Sequence, residues 1–568
     1  MKNFEFYDRG GDRPWINPLL TNAAIVGHTT TITAKLWMRA YQENDYRMVV
    51  SPTPILNEQE AYVDWMPGTQ TQNGKEVFVL KSAKGDEIRI LDYASLSSPA
   101  KLKYDNDLTS VWELTGLQPN QRYYYAGFAV NVDERKTAWE VPPDSQYHRF
   151  RTQGEKQESV TFGLFSCHMP YKKDSFDLVN IHMWDRFGDE LEDRNADFVL
   201  GVGDQVYVDG HPNVSIWAWL KKNRKEFVKV VAPKERVKAM RSWYRDIYRG
   251  YWGHRPLRRV FSRFPQYMIW DDHEILDGWG SYDKKEMQNL LDSWWDWGSD
   301  EEKIELTNQM YEAAKETYRE YEHSHNPSTP EGQYDYSFDW SGAAFYVLDM
   351  RGQRDYNRTK TNDRVLGAAQ MQRFKDWLTS DTVKRAAAIF VVSPVPVVHA
   401  NSFVVNHLDI LGMADDMRDE WERASNWVER DVLLDAAFGA AKAGAKALFF
   451  LSGDVHIGAA FKLTHKNYPD AKVYQLTSSA ITYDLPWLNA TALTLIIKRH
   501  GTLQRDAVGL PNVAFELLSE PCKTNNFAVV KMHAKENGQG NQVEVLWDLY
   551  GTAEYGTAVT KLERLTLG

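Results

Sequence analysis

A dense group of ionisable side chains follows one apolar segment in the middle of the chain. The segment reads QYMIWDDHEILDGWG, so that Asp271, Asp272, His273 and Glu274 come directly after the apolar letters YMIW. Charged groups at the end of a buried strand are costly unless other groups pair with them. The cluster therefore requires partners that the neighbouring sequence does not supply.

Other apolar segments also end in residues that can bind metal ions or phosphate. These residues are Cys167 and His168 in SCH, Asp204 and Tyr207 in GDQVY, Asp349 and Arg351 in DMR, and Asp454 and His456 in SGDVH. Ligands bind beyond the carboxyl ends of strands in open α/β sheets, so residues that are distant in sequence can meet there. Asp454 and His456 would share one face of an extended segment, which makes a shared metal ion easy to build.

Each of these residues also has an ordinary structural interpretation. Cys167 could be a small buried apolar residue. Asp204 could cap a turn after Gly-Val-Gly, and Tyr207 could belong to the core. Asp454 and His456 could form a structural pair. Five such segment ends in one chain nevertheless favour a common site.

The donor set contains oxygen, nitrogen and sulfur, and no other catalytic motif competes with it. The sequence has no G-x-S-x-G elbow, P-loop, C-x-x-C or H-E-x-x-H pattern. Phenolate and thiolate donors suit iron, whereas carboxylates suit calcium, magnesium or manganese. The set predicts a binuclear or trinuclear centre bridged by Asp204, and such centres clamp phosphate and supply hydroxide near neutral pH. His273, next to Asp272, would protonate the leaving alkoxide.

Two regions of different pattern must carry these residues. Residues 20 to 155 contain short alternating segments and a Pro-Asn turn, typical of an immunoglobulin- or fibronectin-like β-sandwich. Beyond the polar linker TQGEKQES, six apolar runs alternate with helical patterns and predict an α/β fold. We expect an N-terminal sandwich at 1–155 and a catalytic domain at 156–568, with a Trp-rich helical insertion at about 278–330.

Composition limits the partners and the location of the protein. The 568 residues carry a formal net charge of −11, which argues against a general nucleic-acid-binding patch. No apolar stretch is long enough to span a membrane. The two cysteines, Cys167 and Cys522, fit a reducing compartment. The N-terminal residues show neither an export signal nor a twin-arginine pair, so we expect a cytoplasmic protein, and its oligomeric state is not predicted.

Taken in order, the motifs resemble those of the alkaline phosphatase D (PhoD-like) family. GDQVY resembles the G-D-x-x-Y motif of that family and of the purple acid phosphatases, and the family's other motifs resemble FSCH, WDDHE, LDMRGQR, LGAAQMQRFKDWL and FLSGDVH. The likeness covers roughly residues 160 to 480. It implies an α/β fold, a calcineurin-like metallophosphatase sandwich of αββα layers, preceded by an all-β sandwich domain.

The resemblance also implies a role for each site residue. A ferric ion, Fe3+, would be held by Cys167, Asp204, Tyr207 and His456. Companion ions, Ca2+ in the family's best-known form with Mn2+, Mg2+ or Zn2+ as alternatives, would use Asp204, Asp272 and Asp454. His273 would act as general acid or oxyanion stabiliser, and Arg351 would contact the phosphate. Asp271 and Glu274 would orient the ligands.

The sequence thus predicts a metal-dependent phosphoesterase that hydrolyses phosphomonoesters, phosphodiesters or both by attack of metal-bound hydroxide. Its partner would be a phosphate-ester substrate whose identity the motifs do not fix. The tryptophans of the insertion could cap a ring-bearing leaving group or could pack in the core. A second interpretation is a metal-containing protein that binds a glycan or a lipid headgroup without catalysis, for which His273 and Arg351 would not be required.

Overall fold

The computed structural model describes most of the chain. The described residues are 23–40, 43–52, 65–72, 75–82, 88–91, 95–129, 148–155, 158–172, 177–210, 215–295, 298–354, 364–399, 420–483, 497, 499–503, 512–537, 540–552 and 558–568. Among them, no helix combines the length and the apolar character that crossing a lipid bilayer requires.

The N-terminal region is built from strands. They are β1 (Ala23–Thr29), β2 (Thr33–Arg39), β3 (Asn44–Ser51), β4 (Trp65–Gln72), β5 (Lys75–Ser82), β6 (Ile88–Leu91), β7 (Ser95–Leu96), β8 (Ala100–Leu102), β9 (Thr109–Thr115), β10 (Arg122–Ala129) and β11 (Arg149–Arg151). Antiparallel sheets with the orders β1-β2-β9 and β11-β10-β3-β7 share a core that includes Leu36, Met48 and Tyr125, while β4, β5 and β6 form a separate sheet. The expected all-β region is confirmed.

The remainder of the chain alternates strands and helices. The strands are β12 (Ser159–Phe165), β13 (Phe198–Val202), β14 (Gln266–Ile269), β15 (Tyr336–Trp340), β16 (Ala343–Val347), β17 (Ala388–Val392), β18 (Ala447–Ser452), β19 (Ala459–His465), β20 (Tyr468–Thr477), β21 (His500–Thr502), β22 (Val513–Leu517), β23 (Asn526–Asn537), β24 (Gly540–Thr552) and β25 (Val559–Leu567). The helices are α1 (His182–Asp193), α2 (Ile216–Phe227), α3 (Pro233–Trp252), α4 (Arg255–Phe261), α5 (Lys284–Trp294), α6 (Asp300–Tyr321), α7 (Gly367–Leu378), α8 (Asp381–Arg385) and α9 (Trp427–Gly444).

Two mixed sheets form the centre of this region. One has the order β14-β13-β12-β23-β24-β25, and the other has the order β15-β16-β17-β18-β20-β19-β22-β21. Strands β12, β13 and β14 are parallel, as are β16, β17, β18 and β20. All six apolar runs identified in the sequence are strands of these sheets, and β23 and β24 form an antiparallel hairpin. Because parallel neighbours end at the same edge, their carboxyl ends meet.

The two sheets pack face to face, and helices cover their outer faces. Phe162 of β12 meets Phe345 of β16 with ring centroids 5.5 Å apart. On the outer side of the first sheet, Phe165 packs against Trp184 of α1 at 4.7 Å. Side chains of α7 and α9, among them Phe374, form a second core against the other sheet. The arrangement is the αββα sandwich that the sequence predicted.

The expected helical insertion contains two helices, α5 and α6. Trp279 stacks on Tyr311 of α6 with centroids 5.1 Å apart, and Trp295 meets Phe227 at 5.7 Å. Both tryptophans are only 2% exposed. These two side chains therefore pack in the core, whereas the side chain of Trp297 lies outside the described residues.

A buried ion cluster joins the N-terminal strands to the helices of the α/β region. The Asp107 carboxylate accepts hydrogen bonds from Arg39 at 3.2 Å, from Arg249 of α3 at 2.5 Å, and from the Tyr321 hydroxyl. Asp107 is 3% exposed. Burial alone would raise the pKa of this carboxyl, but Arg249 and Arg39 hold it far below its usual range. The two regions on either side of residues 155 and 156 therefore meet at a packed, ion-paired interface. That these residues mark a domain boundary stays a prediction.

Candidate metal centre

The site lies where β12, β13, β14 and β18 end. Four of its residues adopt left-handed backbone conformations, with φ values of 58° at Cys167, 57° at Asp204, 62° at Asp454 and 52° at His456. Left-handed φ is uncommon for residues other than glycine, and such strain collects at functional sites. Strands β12, β13 and β18 thus turn sharply at their ends and direct chemically active side chains toward the same place.

Glycines before two of these aspartates allow the strand ends to approach closely. A Cβ atom on Gly203 would lie 2.6 Å from Cβ of Asp271. A Cβ atom on Gly453 would lie 2.5 Å from Cβ of Ser166. Both distances are shorter than real Cβ contacts, so only glycine permits this packing. The Gly-Asp pairs seen in the sequence are therefore a geometric requirement of the site.

One group of donors contains sulfur, nitrogen and oxygen. A ligand atom from each of Cys167, Asp204 and His456 lies within 4.8 Å of the other two. The Asp204 carboxylate is 3.3 Å from the Cys167 sulfur and 3.2 Å from the Tyr207 hydroxyl. That hydroxyl is also 3.1 Å from Nε2 of His456. The structure brings together the four residues that the sequence analysis assigned to iron.

A second group consists of carboxylates. Ligand oxygens of Asp204, Asp271, Asp272 and Asp454 lie within 4.8 Å of one another. Oδ1 of Asp204 and Oδ2 of Asp271 are buried and accept no hydrogen bond from the described residues. A buried carboxylate oxygen without a donor is expensive. Cations are the groups that would satisfy this arrangement, and oxygen donors suit hard ions such as Ca2+, Mg2+ or Mn2+.

Glu274 ties two of the strand ends together. Residues Asp272–Glu274 form a turn of 3-10 helix, and Oε2 of Glu274 accepts the N–H groups of Asp271 at 2.7 Å and Asp204 at 3.2 Å. Its other oxygen accepts the N–H of Gln205. Glu274 therefore links the loops that carry Asp204 and Asp271 through hydrogen bonds to their backbone.

Arg351, which the resemblance implied would contact the phosphate, is engaged with protein groups. Its guanidinium is completely buried, its Nε donates to Oδ1 of Asp271, and one terminal nitrogen donates to the carbonyl of Trp279 at 2.8 Å. The other terminal nitrogen is 3.5 Å from Oδ1 of Asp272. Its neighbour Asp349 accepts hydrogen bonds from Trp270 and from the Arg351 backbone, which makes it a structural residue.

His273 is oriented by Asp209, a residue that the sequence analysis did not single out. Oδ1 of Asp209 lies 2.7 Å from Nδ1 of His273, and its carboxylate also accepts the N–H of Asp277. The side chain of His273 is 19% exposed, so it lies at the rim of the site. Asp209 comes two residues after Tyr207, the last residue of GDQVY. Its place on the same loop was the sequence signal that could have identified it as a site residue. With Nδ1 engaged, Nε2 is the nitrogen free to exchange a proton.

His168 is adjacent to Cys167, but its ring nitrogens form hydrogen bonds with Trp184 and Tyr251. Its Nδ1 accepts from the indole N–H of Trp184 at 3.1 Å, and its Nε2 is 3.0 Å from the carbonyl oxygen of Tyr251. An indole only donates and a carbonyl only accepts, so the proton sits on Nε2. Burial lowers the pKa of His168 to about 3. The residue is a neutral structural histidine that supports the loop.

The pKa values of the titratable groups at the site are shifted in different directions. Burial raises the pKa of Asp204 to about 6 and lowers that of His456 to about 3, which leaves its imidazole neutral, the form that binds metals. Burial would also lower the pKa of His273, but Asp209, Asp272 and Asp204 outweigh it and raise that pKa well above its ordinary value. These carboxylates therefore favour the protonated form of His273 in the metal-free protein.

Comparisons with known proteins agree with this geometry. A family model described as PhoD-like phosphatase matches residues 162–499, more than half of the chain. The solved structure of PhoD superposes with a TM-score of 0.61 over 98% of this chain and 91% of that chain, at 15% identity, which shows a shared fold. The uncharacterized protein YGR266W of Saccharomyces cerevisiae is 28% identical over 108 residues, which are 16% of this chain and 15% of that relative. The chain belongs to the PhoD-like phosphatase family.

Proposed function

We propose that the protein is a metal-dependent phosphoesterase that hydrolyses phosphomonoesters or phosphodiesters. The observation that carries this proposal is the convergence of a thiol, a phenol, an imidazole and several buried carboxylates at one edge of the sheets. Membership of a phosphatase family supports it independently. The substrate would be a phosphate ester, and its alcohol is left open.

The donors fit two kinds of metal ion. Cys167, Asp204, Tyr207 and His456 combine soft and phenolic donors, which suits Fe3+. Asp204, Asp272 and Asp454 offer oxygens only, which suits Ca2+ or another hard divalent ion. Metal ions bound there would polarise phosphoryl oxygens and generate a nucleophile from water near neutral pH.

The chain's own residues would do the rest of the chemistry. Asp204 belongs to both donor groups and would hold them in a fixed relation. Glu274 and the N–H of Gly278, which donates to Oδ2 of Asp272 at 2.6 Å, keep the acidic turn in place. His273, held through Nδ1 by Asp209, would give a proton from Nε2 to the departing alkoxide. Loss of such proton transfer typically costs about 100- to 10,000-fold in rate.

The test is hydrolysis of an aryl phosphate and an aryl phosphodiester with iron and calcium supplied. Wild type should be active, whereas Asp204→Ala and His273→Ala should be nearly inactive. His465→Gln is the matched control, because this buried histidine lies 3.8 Å from Asp435 in another part of the sheet. If wild type and the site variants are equally inactive while metal still binds, the enzyme proposal fails, and binding without catalysis becomes the better interpretation.

The iron assignment has its own test in visible absorption. A ferric ion bound to the Tyr207 phenolate should give a charge-transfer band in the iron-loaded protein, and Tyr207→Phe should remove it. Tyr251→Phe is the control, since the Tyr251 hydroxyl donates to the Tyr207 carbonyl and faces no donor group. An iron-loaded wild type without the band would overturn phenolate ligation.

A further inference from the structure

Ser479 connects two of the candidate metal ligands from a neighbouring strand. It lies two residues beyond β20, which runs parallel to β18, so both strands end at the same edge of the sheet. Its hydroxyl oxygen is 3.0 Å from the Cys167 sulfur and accepts the backbone N–H of His456 at 3.1 Å. Ser479 and Cys167 are both completely buried. One hydroxyl therefore contacts the loop of a thiol donor and the loop of an imidazole donor.

The direction of these hydrogen bonds follows from the chemistry of the groups. A hydroxyl has one hydrogen to donate and two lone pairs that accept. The N–H of His456 occupies one lone pair, and among the described residues the Cys167 sulfur is the acceptor within reach of the hydrogen. Cysteine binds a metal ion as the thiolate, which has no hydrogen to donate. When Cys167 binds a metal ion, Ser479 must therefore donate to its sulfur.

A second hydroxyl near the sulfur is engaged differently. Oγ of Ser166 lies 3.4 Å from the Cys167 sulfur and 3.2 Å from the carbonyl oxygen of Ser478. Its single hydrogen is therefore shared between two acceptors, and the carbonyl is the nearer one. Ser479 has no such second acceptor among the described residues, which makes it the dedicated donor to the sulfur.

The backbone around Ser479 is anchored independently of any metal ion. Oδ1 of Asn526, a buried residue at the start of β23, accepts the N–H of Ser479 at 3.0 Å, and the Asn526 amide nitrogen donates to the Ser479 carbonyl. Two residues further on, the N–H of Ile481 donates to the carbonyl of Ser166 at 2.9 Å. Such contacts fix a supporting group in place before its ligand binds.

We propose that Ser479 is a positioning residue of the metal centre, which orients Cys167 and His456 and donates a hydrogen bond to the metal-bound thiolate. The inference rests on the proposed metal-dependent function and goes beyond it, since Ser479 lies outside both donor groups. Loss of a group that supports a metal ligand typically weakens metal binding or activity by about 10- to 100-fold. Hydrogen bonds to a coordinating sulfur also tune the electronic properties of the metal site.

The experiment follows the binding of Co2+, a probe for the iron, to full-length metal-free protein. A cysteine thiolate bound to Co2+ gives a charge-transfer band in the near ultraviolet, and Cys167→Ser should remove it. Ser479→Ala should weaken Co2+ binding by about 10- to 100-fold. It should also move the band to longer wavelength, because a thiolate without this hydrogen bond releases electron density more easily.

Ser478→Ala is the matched control. The Ser478 hydroxyl is equally buried but donates to Oδ1 of Asn526 at 3.1 Å, so this variant should keep the wild-type affinity and band. A folded Ser479→Ala variant with wild-type affinity and an unshifted band would overturn the inference. Absence of the thiolate band in wild type would instead overturn ligation by Cys167 and with it the proposed metal centre, so the two failures are distinguishable.

Further variants separate the hydroxyl from the size of the side chain. Ser479→Thr and Ser479→Val have similar volumes, but only Ser479→Thr keeps a hydroxyl. Ser479→Thr should keep the band at its wild-type position, whereas Ser479→Val should shift it, and identical bands in the two variants would contradict the proposal.

A variant on another strand keeps the inference testable if the variants at Ser479 do not fold. Ser166→Ala removes the second hydroxyl near the sulfur and should leave the band at its wild-type position, because the described contacts make Ser479 the dedicated donor. A shifted band in Ser166→Ala would make Ser166 the donor to the thiolate and would overturn the assignment of Ser479.

Discussion

Two buried acidic clusters in this molecule are built in opposite ways. At the interface of the N-terminal strands, Asp107 is surrounded by Arg39, Arg249 and the Tyr321 hydroxyl, and these groups hold its pKa far below the ordinary range. At the metal centre, Asp204 keeps an oxygen with no hydrogen-bond donor among the described residues, and burial raises its pKa to about 6.

The difference separates a structural cluster from a ligand-binding one. Buried charges are normally paired or bind metal ions. The Asp107 cluster carries its own counter-ions and needs nothing further. Among the described residues, the acids of the candidate metal centre outnumber the positive charge that Arg351 supplies, as expected of a site that binds cations. Burial and acidity alone would not have distinguished the two.

The largest expected effect is a loss of catalytic rate when Asp204, the acid that both donor groups share, is replaced. Asp204→Asn should lower the rate of aryl phosphate hydrolysis by roughly 1,000-fold or more, because loss of the shared ligand removes several kcal/mol of transition-state stabilisation. Steady-state kinetics with added metals measures this. Asp107→Asn, assayed as folded protein, should keep nearly the wild-type rate. Equal losses of hydrolysis rate in both variants would contradict the proposed difference between the metal centre and the Asp107 cluster.

Proton transfer gives the next effect. His273→Gln should reduce kcat by roughly 100- to 10,000-fold for a substrate with a poor leaving group. Asp209→Asn, which weakens the support of the imidazole, should cost about 10- to 100-fold. Both losses should shrink when the leaving group is a weakly basic phenol that needs little protonation. A loss that is independent of the leaving group would argue against general acid catalysis by His273.

The structural cluster should show its effect in stability. Asp107→Asn removes the carboxylate that the buried Arg39 and Arg249 share, while Arg249 keeps its ion pair with Asp246, and should lower the free energy of unfolding by about 3–5 kcal/mol. Urea denaturation of the metal-free protein measures the change. Asp548→Asn is a useful control, since Asp548 pairs with Arg194 and Arg564 but Arg564 is half exposed, and its variant should lose less. Equal losses of stability in the two variants would mean that the deeper burial of the Asp107 cluster does not increase its contribution to the free energy of unfolding.

The smallest effects are the pH dependences of stability, which should have opposite signs. A carboxyl whose pKa is raised on folding contributes stability at low pH and loses it as the pH rises. For Asp204 this loss should occur between about pH 4 and pH 6 in the metal-free protein and amount to at most about 3 kcal/mol. Asp107, whose pKa is depressed, contributes above about pH 4 and loses its contribution on acidification.

Urea titrations of metal-free protein at several pH values test both signs. Asp204→Asn should remove the decline between pH 4 and pH 6, and Asp107→Asn should remove part of the loss of stability in acid. If the Asp204 variant keeps the wild-type slope, burial does not perturb this carboxyl as the structure indicates.

The sequence was informative where function depends on strand order. The convergence of candidate donors at strand ends, such as Asp204 and Asp454, could be predicted because parallel strands finish at one edge. The alternation of apolar runs with helical patterns predicted an α/β fold, whereas the αββα layers were implied by the family resemblance. The motifs around Cys167 and His456 gave the family. In these cases the signal lies in local spacing and in the order of segments along the chain.

The rest depends on contacts that spacing does not encode. The partner of Arg351 is Asp271, 80 residues away, and nothing in DMR distinguishes a buried counter-ion from a phosphate ligand. The Asp107 cluster joins residues from four distant segments and carries no motif. Asp209 was missed because its role depends on the turn that places His273 beside it. Side-chain pairing across the fold had to be seen in the structure.

The most direct test of the central claim is the dependence of hydrolysis on metal in matched variants. Wild type, Asp107→Asn and Asp204→Asn are stripped with a chelator and assayed on an aryl phosphate before and after iron and calcium are returned. Stripping should abolish hydrolysis in every sample, and metals should restore it in wild type and Asp107→Asn but not in Asp204→Asn. Full activity in metal-free wild type, or equal restoration in Asp204→Asn, would contradict the assignment of this acidic cluster as a metal centre.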